Sequence, residues 1–332
     1  MRKELSPEEQ FAYDQYVHTP TEAYNALVSL ARKIHGTKGV SSGSPNLDKF
    51  MIPTRGPWVR VWVAAPAQGK STFLRTIAFN AAMDLVAQEM DDKFYVAFIT
   101  YEEAVDAQEI HFQRSKSYTT DDFWRGNVNP KKVMMSGLDR PDIPIYWLGE
   151  SMAKSDPDSP PMTIDKCLDG LRSIWKIEGK LPSCIVLDYV QEVEVDLGAG
   201  MDRTKKVIEA MRQIIRMGTL TGCAIELGAQ ARRSSLKNNP PLPSQDDVEW
   251  AHYVYQKATN AVGLWRPWTT HSKDPSVLAN GITINEISFP LSPNLTVAMP
   301  LKHRPGLLRK PVPMEIDPAT LTIKDFANIG NV

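Results

Sequence analysis

The chain is poor in cysteine, nearly balanced in charge, and without long apolar runs. Its three cysteines, Cys167, Cys184 and Cys223, lie far apart. They have no metal-ligand spacing, and their odd count builds no disulfide framework, so reduced thiols in an intracellular protein are expected. Lys and Arg number 38 against 39 Asp and Glu, a net charge of −1. That balance excludes a histone-like nucleic-acid coat but leaves a local basic channel open, because distribution matters more than the sum. No segment approaches the length of a membrane span, and the start MRKELSPEEQ lacks the apolar core of a signal peptide. A soluble, cytoplasmic protein with no membrane partner is the expectation. No internal repeat is evident, and the 332 residues leave both one large domain and two smaller ones open.

What is present is an alternation. Residues 1–35 read as a helical arm, with Thr19-Pro20-Thr21 breaking it and Ala23, Leu27, Leu30 and Ala31 at helical spacing. A Gly/Ser-rich stretch, 36–46, follows. From Trp58 onward, strand-like apolar runs alternate with helical ones, which predicts an α/β domain with a mostly parallel sheet over residues 36–332. The expected strands are Val59–Ala65, Tyr95–Thr100, Ile145–Leu148, Cys184–Asp188, Ala224–Ala229, Ala261–Trp265 and Leu295–Leu301. A C-terminal β-hairpin, Val312–Ile316 with Leu321–Ile323, closes the chain. The clearest helix is Thr204–Met217, whose Val207, Ile208, Met211, Ile214 and Ile215 form one apolar face. Two stretches, Lys154–Pro161 and Arg232–Asp247, read as loops.

The densest chemistry sits in Ala64-Ala65-Pro66-Ala67-Gln68-Gly69-Lys70-Ser71-Thr72, between an apolar run and the helical Phe73–Ala87. Strand, loop, helix is the context that a P-loop requires. A bare Gly-Lys-Ser is common at solvated helix starts, and it is the flanking elements that argue otherwise. Backbone N–H groups in such a loop converge at a helix N-terminus, where hydrogen bonds and the dipole both favour phosphate. Lys70 would reach the β- and γ-phosphates of a nucleoside triphosphate, and the Ser71 hydroxyl would join an Mg²⁺ shell. The first glycine of the general pattern is replaced by Ala64.

Further groups fall at strand ends. Cys184-Ile185-Val186-Leu187-Asp188 is an apolar strand closing on a carboxylate, which can hold Mg²⁺ through water beside the P-loop. Glu102 and Glu103 follow the strand Tyr95–Thr100; one is a candidate base for attacking water, and the other reads as an acid complementing a helix N-terminus. Gln230 follows Ala224–Ala229 and can sense a γ-phosphate. Arg232, Arg233 and Lys237 offer charge to a phosphate backbone, or else decorate a solvated basic loop. Lys302-His303-Arg304-Pro305-Gly306 follows Leu295–Leu301; its two cations would suit an arginine finger for a neighbouring subunit, and alone would be surface decoration.

In this order the segments resemble the RecA-like ATPase domain of hexameric replicative DNA helicases, the DnaB-like group. The resemblance rests on Ala64-Ala65-Pro66-Ala67-Gln68-Gly69-Lys70-Ser71, similar to a Walker A that begins with Ala and carries Pro two residues later. It rests also on Thr100-Tyr101-Glu102, where the family has Ser-Leu-Glu, and on Leu187-Asp188-Tyr189-Val190-Gln191, which looks like its Asp-Tyr-Leu-Gln. Arg203-Thr204, Gly228-Ala229-Gln230 and Lys302-His303-Arg304-Pro305-Gly306 match later segments, and Gly39 to Asp48 is similar to the lead-in. The likeness covers residues 36–325.

The resemblance implies a RecA-like P-loop fold, ATP and Mg²⁺ as cofactors, and an ATP-driven motor gripping single-stranded DNA in a homo-oligomeric, hexameric ring. It implies Ala64, Pro66, Gln68, Gly69, Lys70, Ser71 and Thr72 around the nucleotide, and Ser71 and Asp188 at the metal. Glu102 becomes the catalytic glutamate, Gln230 the γ-phosphate sensor, and Lys302 and Arg304 groups from the next subunit. Arg232, Arg233 and Lys237 would contact DNA, and a loader or other replication proteins would be further partners. Two departures bear on function. Residues 1–35 are expected to supply a linker-like helix rather than the family's N-terminal domain, and its acidic Gln-Asp-Ala-Asp segment appears as Gln256-Lys257-Ala258-Thr259-Asn260. Those departures favour the other reading, an ATP-regulated assembly protein without unwinding. A small-molecule kinase is the third, with no lid or acceptor segment to support it.

Overall fold

The computed structural model describes residues 6–8, 10–11, 17, 19–34, 39–51, 53–112, 122, 124–131, 143–151, 161–195, 202–238, 241–244, 247, 252–284, 287–303, 310–317 and 322–325. The chain divides into Met1–Gly39 and Val40–Val332. In the first unit, helix α1 spans Pro20–Ile34, with proline at its first position, where the missing N–H costs nothing.

The second unit is built on one nine-stranded sheet. Its central strands are mostly apolar because helices cover both faces, the pattern expected of buried parallel strands. In chain order they are β1 (Val59–Ala64), β2 (Phe94–Thr100), β3 (Ile145–Leu148), β4 (Leu181–Asp188), β5 (Ala224–Gln230) and β6 (Asn260–Trp265). All six run parallel, in the spatial order β6-β1-β5-β4-β2-β3. Beyond β6 the sheet turns antiparallel through Leu295–His303, Val312–Asp317 and Thr322–Asp325. The last two form the expected C-terminal hairpin, its second strand shifted one to two residues toward Asp325. A separate hairpin, β7 (Ile282–Ile284) with β8 (Ile287–Phe289), lies between β6 and the strand Leu295–His303, here β9; Val312–Asp317 and Thr322–Asp325 are β10 and β11.

Alternate strand residues feed two cores. One packs Trp62, Phe98 and Val186 against helix α2 (Pro45–Phe50) and the helix α3 (Lys70–Ala87). The other packs Val61, Ile99 and Leu187 against α5 (Ile164–Glu178), α6 (Arg203–Thr221) and α7 (His252–Lys257), α4 being Val105–Phe112. Between β6 and β9, helices α8 (Pro267–His271) and α9 (Pro275–Asn280) join the small hairpin over a third cluster that includes Leu242, Trp265, Phe289 and Val297.

The strands expected from sequence are present, several of them longer. β4 starts at Leu181 rather than Cys184, and its first residues pair with β2 across a register shift between Tyr95 and Val96, which absorbs the missing N–H of Pro182. α3 starts at Lys70, three residues before the apolar face begins. Within the Lys154–Pro161 loop only Pro161 is among the described residues.

The site follows from strand order. The chain leaves β1 toward β2 on one side and leaves β5 toward β6 on the other. Where connections diverge in this way, the carboxyl ends of neighbouring strands border an open crevice.

Candidate functional site

The loop after β1, Asp188, Glu102 and Gln230 lie at that edge, whereas Lys302, in register with Ala261 at the start of β6, lies at the opposite one. β1 is buried along its whole length and ends at Ala64. Ala67 (φ 63°) and Gly69 (φ 81°) then take left-handed backbone, and α3 begins at Lys70. A Cβ on Gly69 would meet nothing within 4 Å, so the glycine is there for its positive φ and not for space. The N-terminus of α3 has no side-chain cap and no acid in its first turn. Its orphan N–H groups and positive dipole end are therefore left for an anion from outside.

Lys70 and Asp188 form a buried ion pair, their side chains 10% and 1% exposed. Lys70 Nζ also lies 4.2 Å from the centre of the Tyr189 ring. Asp188 comes this close to β5 because residue 228 has no side chain: a Cβ on Gly228 would stand 3.0 Å from Asp188 Oδ1. Among the described residues no three His, Cys, Asp or Glu cluster as a metal site would. A hydroxyl and one carboxylate beside phosphate oxygens are nevertheless the sparse oxygen set that Mg²⁺ takes.

The two glutamates after β2 separate cleanly. Glu103 Oε2 accepts from Arg75 Nη2 at 2.6 Å, and Arg75 Nε donates to Gln108 Oε1 at 2.7 Å. Thr100 Oγ1 donates to the Glu103 carbonyl. Glu103 is thereby tied to α3, while Glu102 stays exposed at the crevice. Its carboxyl is pushed above the usual range, first by loss of water; Lys70 opposes this, and Asp188, Glu103 and Glu192 add to it.

Gln230 ends β5 in register with Ala64, and the Ala231 N–H donates to the Ala64 carbonyl at 2.8 Å. The chain then enters a 3₁₀ turn, Arg233–Lys237. Arg232, Arg233 and Lys237 are exposed. Asp247 staples the turn: its carbonyl accepts from the Arg232 N–H, and its carboxylate from Asn238 Nδ2, Ser244 N and Ser244 Oγ. Partial burial would raise that carboxyl, but these bonds and the Arg232 charge hold it below its ordinary range.

Two other expected residues are engaged locally. The buried Gln68 donates to Thr269 Oγ1 at 2.8 Å and accepts from the Arg266 N–H at 2.9 Å, tying the loop to the segment after β6. Lys302 Nζ donates to the carbonyls of Tyr255 and Gln256 at the end of α7. Arg304 lies outside the described residues. Beside the loop a shallow open cleft is lined by Gly69, Thr72, Arg266, Asn294, Thr296 and Ile316.

Sequence reasoning did not find Arg75, Gln108, Arg266 or Thr269, whose partners lie 28 to 201 residues away. Nothing local marks them. Arg75 carried a signal, a lone cation among Phe73, Leu74, Ile77 and Ala78.

No family model matches the sequence, and no curated protein matches it. Solved structures do. An ATPase domain of a DnaB-like replicative helicase aligns with a TM-score of 0.69 at 16% identity, covering 93% of this chain and 99% of that one. A DnaB-like replicative helicase, described with its interactions with primase, aligns at 0.67 and 17%, covering 93% of this chain and 67% of that one. A KaiC-like protein from Pyrococcus horikoshii aligns at 0.51 and 14%, covering 87% of this chain and 98% of that one. Identities this low speak to architecture: the chain has the RecA-like fold of DnaB-like replicative helicase ATPase domains.

Proposed function

We propose that this protein is an ATP-hydrolysing motor that works as a ring of copies on single-stranded DNA. The observation that carries the reading is the Lys70–Asp188 pair at the uncapped start of α3, with Glu102 at the neighbouring strand end. In this reading the loop from Ala64 to Thr72 holds the triphosphate. Lys70 exchanges Asp188 for phosphate oxygens. Mg²⁺ held by Ser71 and Asp188 would neutralise phosphate charge. Glu102 accepts the proton of the attacking water, and a carboxyl held above its usual range binds that proton more strongly than a free one would. Gln230 senses the γ-phosphate, and the turn carrying Arg232, Arg233 and Lys237 grips the DNA backbone. Arg304, with Lys302 beside it, completes the site of a neighbouring copy.

One observation favours the alternative of an ATP-regulated assembly protein. Thr259, in the stretch where the family carries acids, is spent on the sheet: its N–H donates to the Val59 carbonyl and its hydroxyl accepts from Val59 N. No acid stands there to link loop and site.

Both readings are tested by ATP turnover with and without single-stranded DNA, alongside solution mass with a non-hydrolysable analogue. A DNA-stimulated rate, abolished by Lys70→Ala, with a ring-sized mass is expected. Turnover indifferent to DNA selects the assembly protein, and turnover retained in Lys70→Ala refutes the site.

A further inference from the structure

Gln191 lies three residues past Asp188, in the 3₁₀ turn Val190–Glu192, and is buried. Its amide closes on the main chain of one residue. Nε2 donates to the Gln230 carbonyl at 3.0 Å, and Oε1 accepts from the Gln230 N–H at 3.0 Å. The side chain thus copies a rung of a β-ladder, and a primary amide donates and accepts from the same end without a change of protonation. A carboxylate there would lose the donor and face the carbonyl oxygen with a charge, which is costly in a buried place.

The bonded path continues in both directions. Toward the nucleotide edge it reaches Asp188, paired with Lys70. Away from it, Ala231 is tied to Ala64 and Arg232 to Asp247, and the basic turn begins. Gln191 is therefore the link through which a shift of the turn that leaves Asp188 would move the backbone at Gln230, whatever the Gln230 side chain does. Such a link couples two places only if one end has alternative arrangements, and Lys70 offers them, since a bound phosphate competes with Asp188 for its ammonium.

We propose that Gln191 is a positioning residue that transmits nucleotide occupancy at Lys70 and Asp188 to the basic turn Arg232–Lys237, by fixing the main chain of Gln230. The proposal rests on the reading that the loop binds a nucleoside triphosphate, but not on DNA being the partner.

The test is hydrogen–deuterium exchange on the full chain, without nucleotide and with Mg²⁺ and ADP–beryllium fluoride. The variants are Gln191→Met, which keeps the volume and removes both bonds, and Gln191→Glu, which keeps one acceptor. In the parent protein the analogue is expected to slow exchange at residues 66–73 and to change it several-fold at 230–238. In Gln191→Met the protection at 66–73 should persist while the change at 230–238 falls at least fivefold, with Gln191→Glu between the two. An undiminished response at 230–238 in Gln191→Met overturns the proposal. So does loss of protection throughout β1 and β4 in both variants without nucleotide, which would mark Gln191 as merely structural. Protection at 66–73 in the parent with no response at 230–238 overturns the proposal and spares the nucleotide reading. No protection at 66–73 in the parent overturns both.

Discussion

Glu102→Gln and Glu103→Gln should have opposite effects, though the two residues are adjacent. Glu103 contributes a charged hydrogen bond to Arg75, whose side chain is 5% exposed against 39% for the glutamate. Hydrogen bonds to charged groups contribute about 1.5–3 kcal/mol, and glutamine still offers an oxygen, so Glu103→Gln should cost about 1–2 kcal/mol of stability. At roughly 2–4 °C per kcal/mol that lowers Tm by a few degrees. Turnover should change by less than about threefold, since Arg75 keeps Gln108 and Glu102 keeps its place. Glu102→Gln removes the proposed base, and such groups contribute about 10²–10⁴-fold to rate, or ~2.7–5.5 kcal/mol on the barrier. Its effect on Tm depends on pH. The folded protein raises the Glu102 pKa, so the carboxyl's contribution to stability is full below the unfolded value and is lost as pH rises through the folded one. Glu102→Gln should accordingly leave Tm unchanged in acid and raise it slightly near neutrality. Parent turnover should fall with acidification at a midpoint above about 4.3, the ordinary glutamate value. The assays are steady-state ATP turnover with Mg²⁺ and thermal unfolding across pH. The assignment is refuted if Glu103→Gln loses turnover as severely as Glu102→Gln, or if Glu102→Gln keeps more than about a tenth of the parent rate.

Three other outcomes are expected. Glu226→Ala should destabilise the chain by about 3–5 kcal/mol in urea titrations, because it strands Arg60, fully buried beside it; Arg60→Met with Glu226→Leu should recover most of that. All three cysteines should resist iodoacetamide at pH 8 in the folded protein and react after unfolding, since burial raises Cys167 and Cys223 to about 11 and holds Cys184 well above its ordinary value; rapid native labelling would contradict this. Arg232→Ala with Arg233→Ala should flatten the salt dependence of single-strand binding by ~1.4 in log–log slope, two cations at about 0.7 each; an unchanged slope moves the contacts elsewhere.

The sheet was legible in the sequence for a physical reason. Strands covered on both faces are mostly apolar, so β1, β2, β4, β5 and β6 announce themselves as largely apolar runs. The P-loop and the terminal Asp188 were equally visible, since their chemistry is encoded in adjacent residues. The β7–β8 hairpin was not: its strands are three residues each, and Thr283 and Ser288 face each other as an exposed hydroxyl pair. The residues alone left Glu102 and Glu103 open and the resemblance pointed to Glu102; what the sequence did not show is that Arg75 on α3 engages Glu103. Arg60 and Glu226 were passed over inside apolar strands, although β1 and β5 pair them directly and Trp62 Nε1 supplies a third bond. What sequence misses here is pairing between elements that only the sheet order brings together.

Sheet order also bears on how precisely the site is held. Thr100 stands in register with Asp188, and Ala64 with Gln230, so the relative heights of the Glu102 segment, Asp188, the loop and Gln230 are fixed by β-ladders. A slip of one residue would turn Asp188 to the opposite face and expose the buried side chains of β4 to the wrong core, which makes the register costly to change. The strand ends can therefore respond to a ligand only through what lies beyond the ladders. Those parts are the Lys70 ammonium, the side chain of Glu102, and the turns that leave Asp188 and Gln230. Of these, the two turns are joined by Gln191. Any work done on a partner at Arg232–Lys237 has to leave the rigid sheet by such a junction, because a close-packed core transmits displacement without storing it. Substitutions deep in β4 or β5 should accordingly change stability and turnover together, whereas changes at Gln191 should separate nucleotide binding from the response of the basic turn.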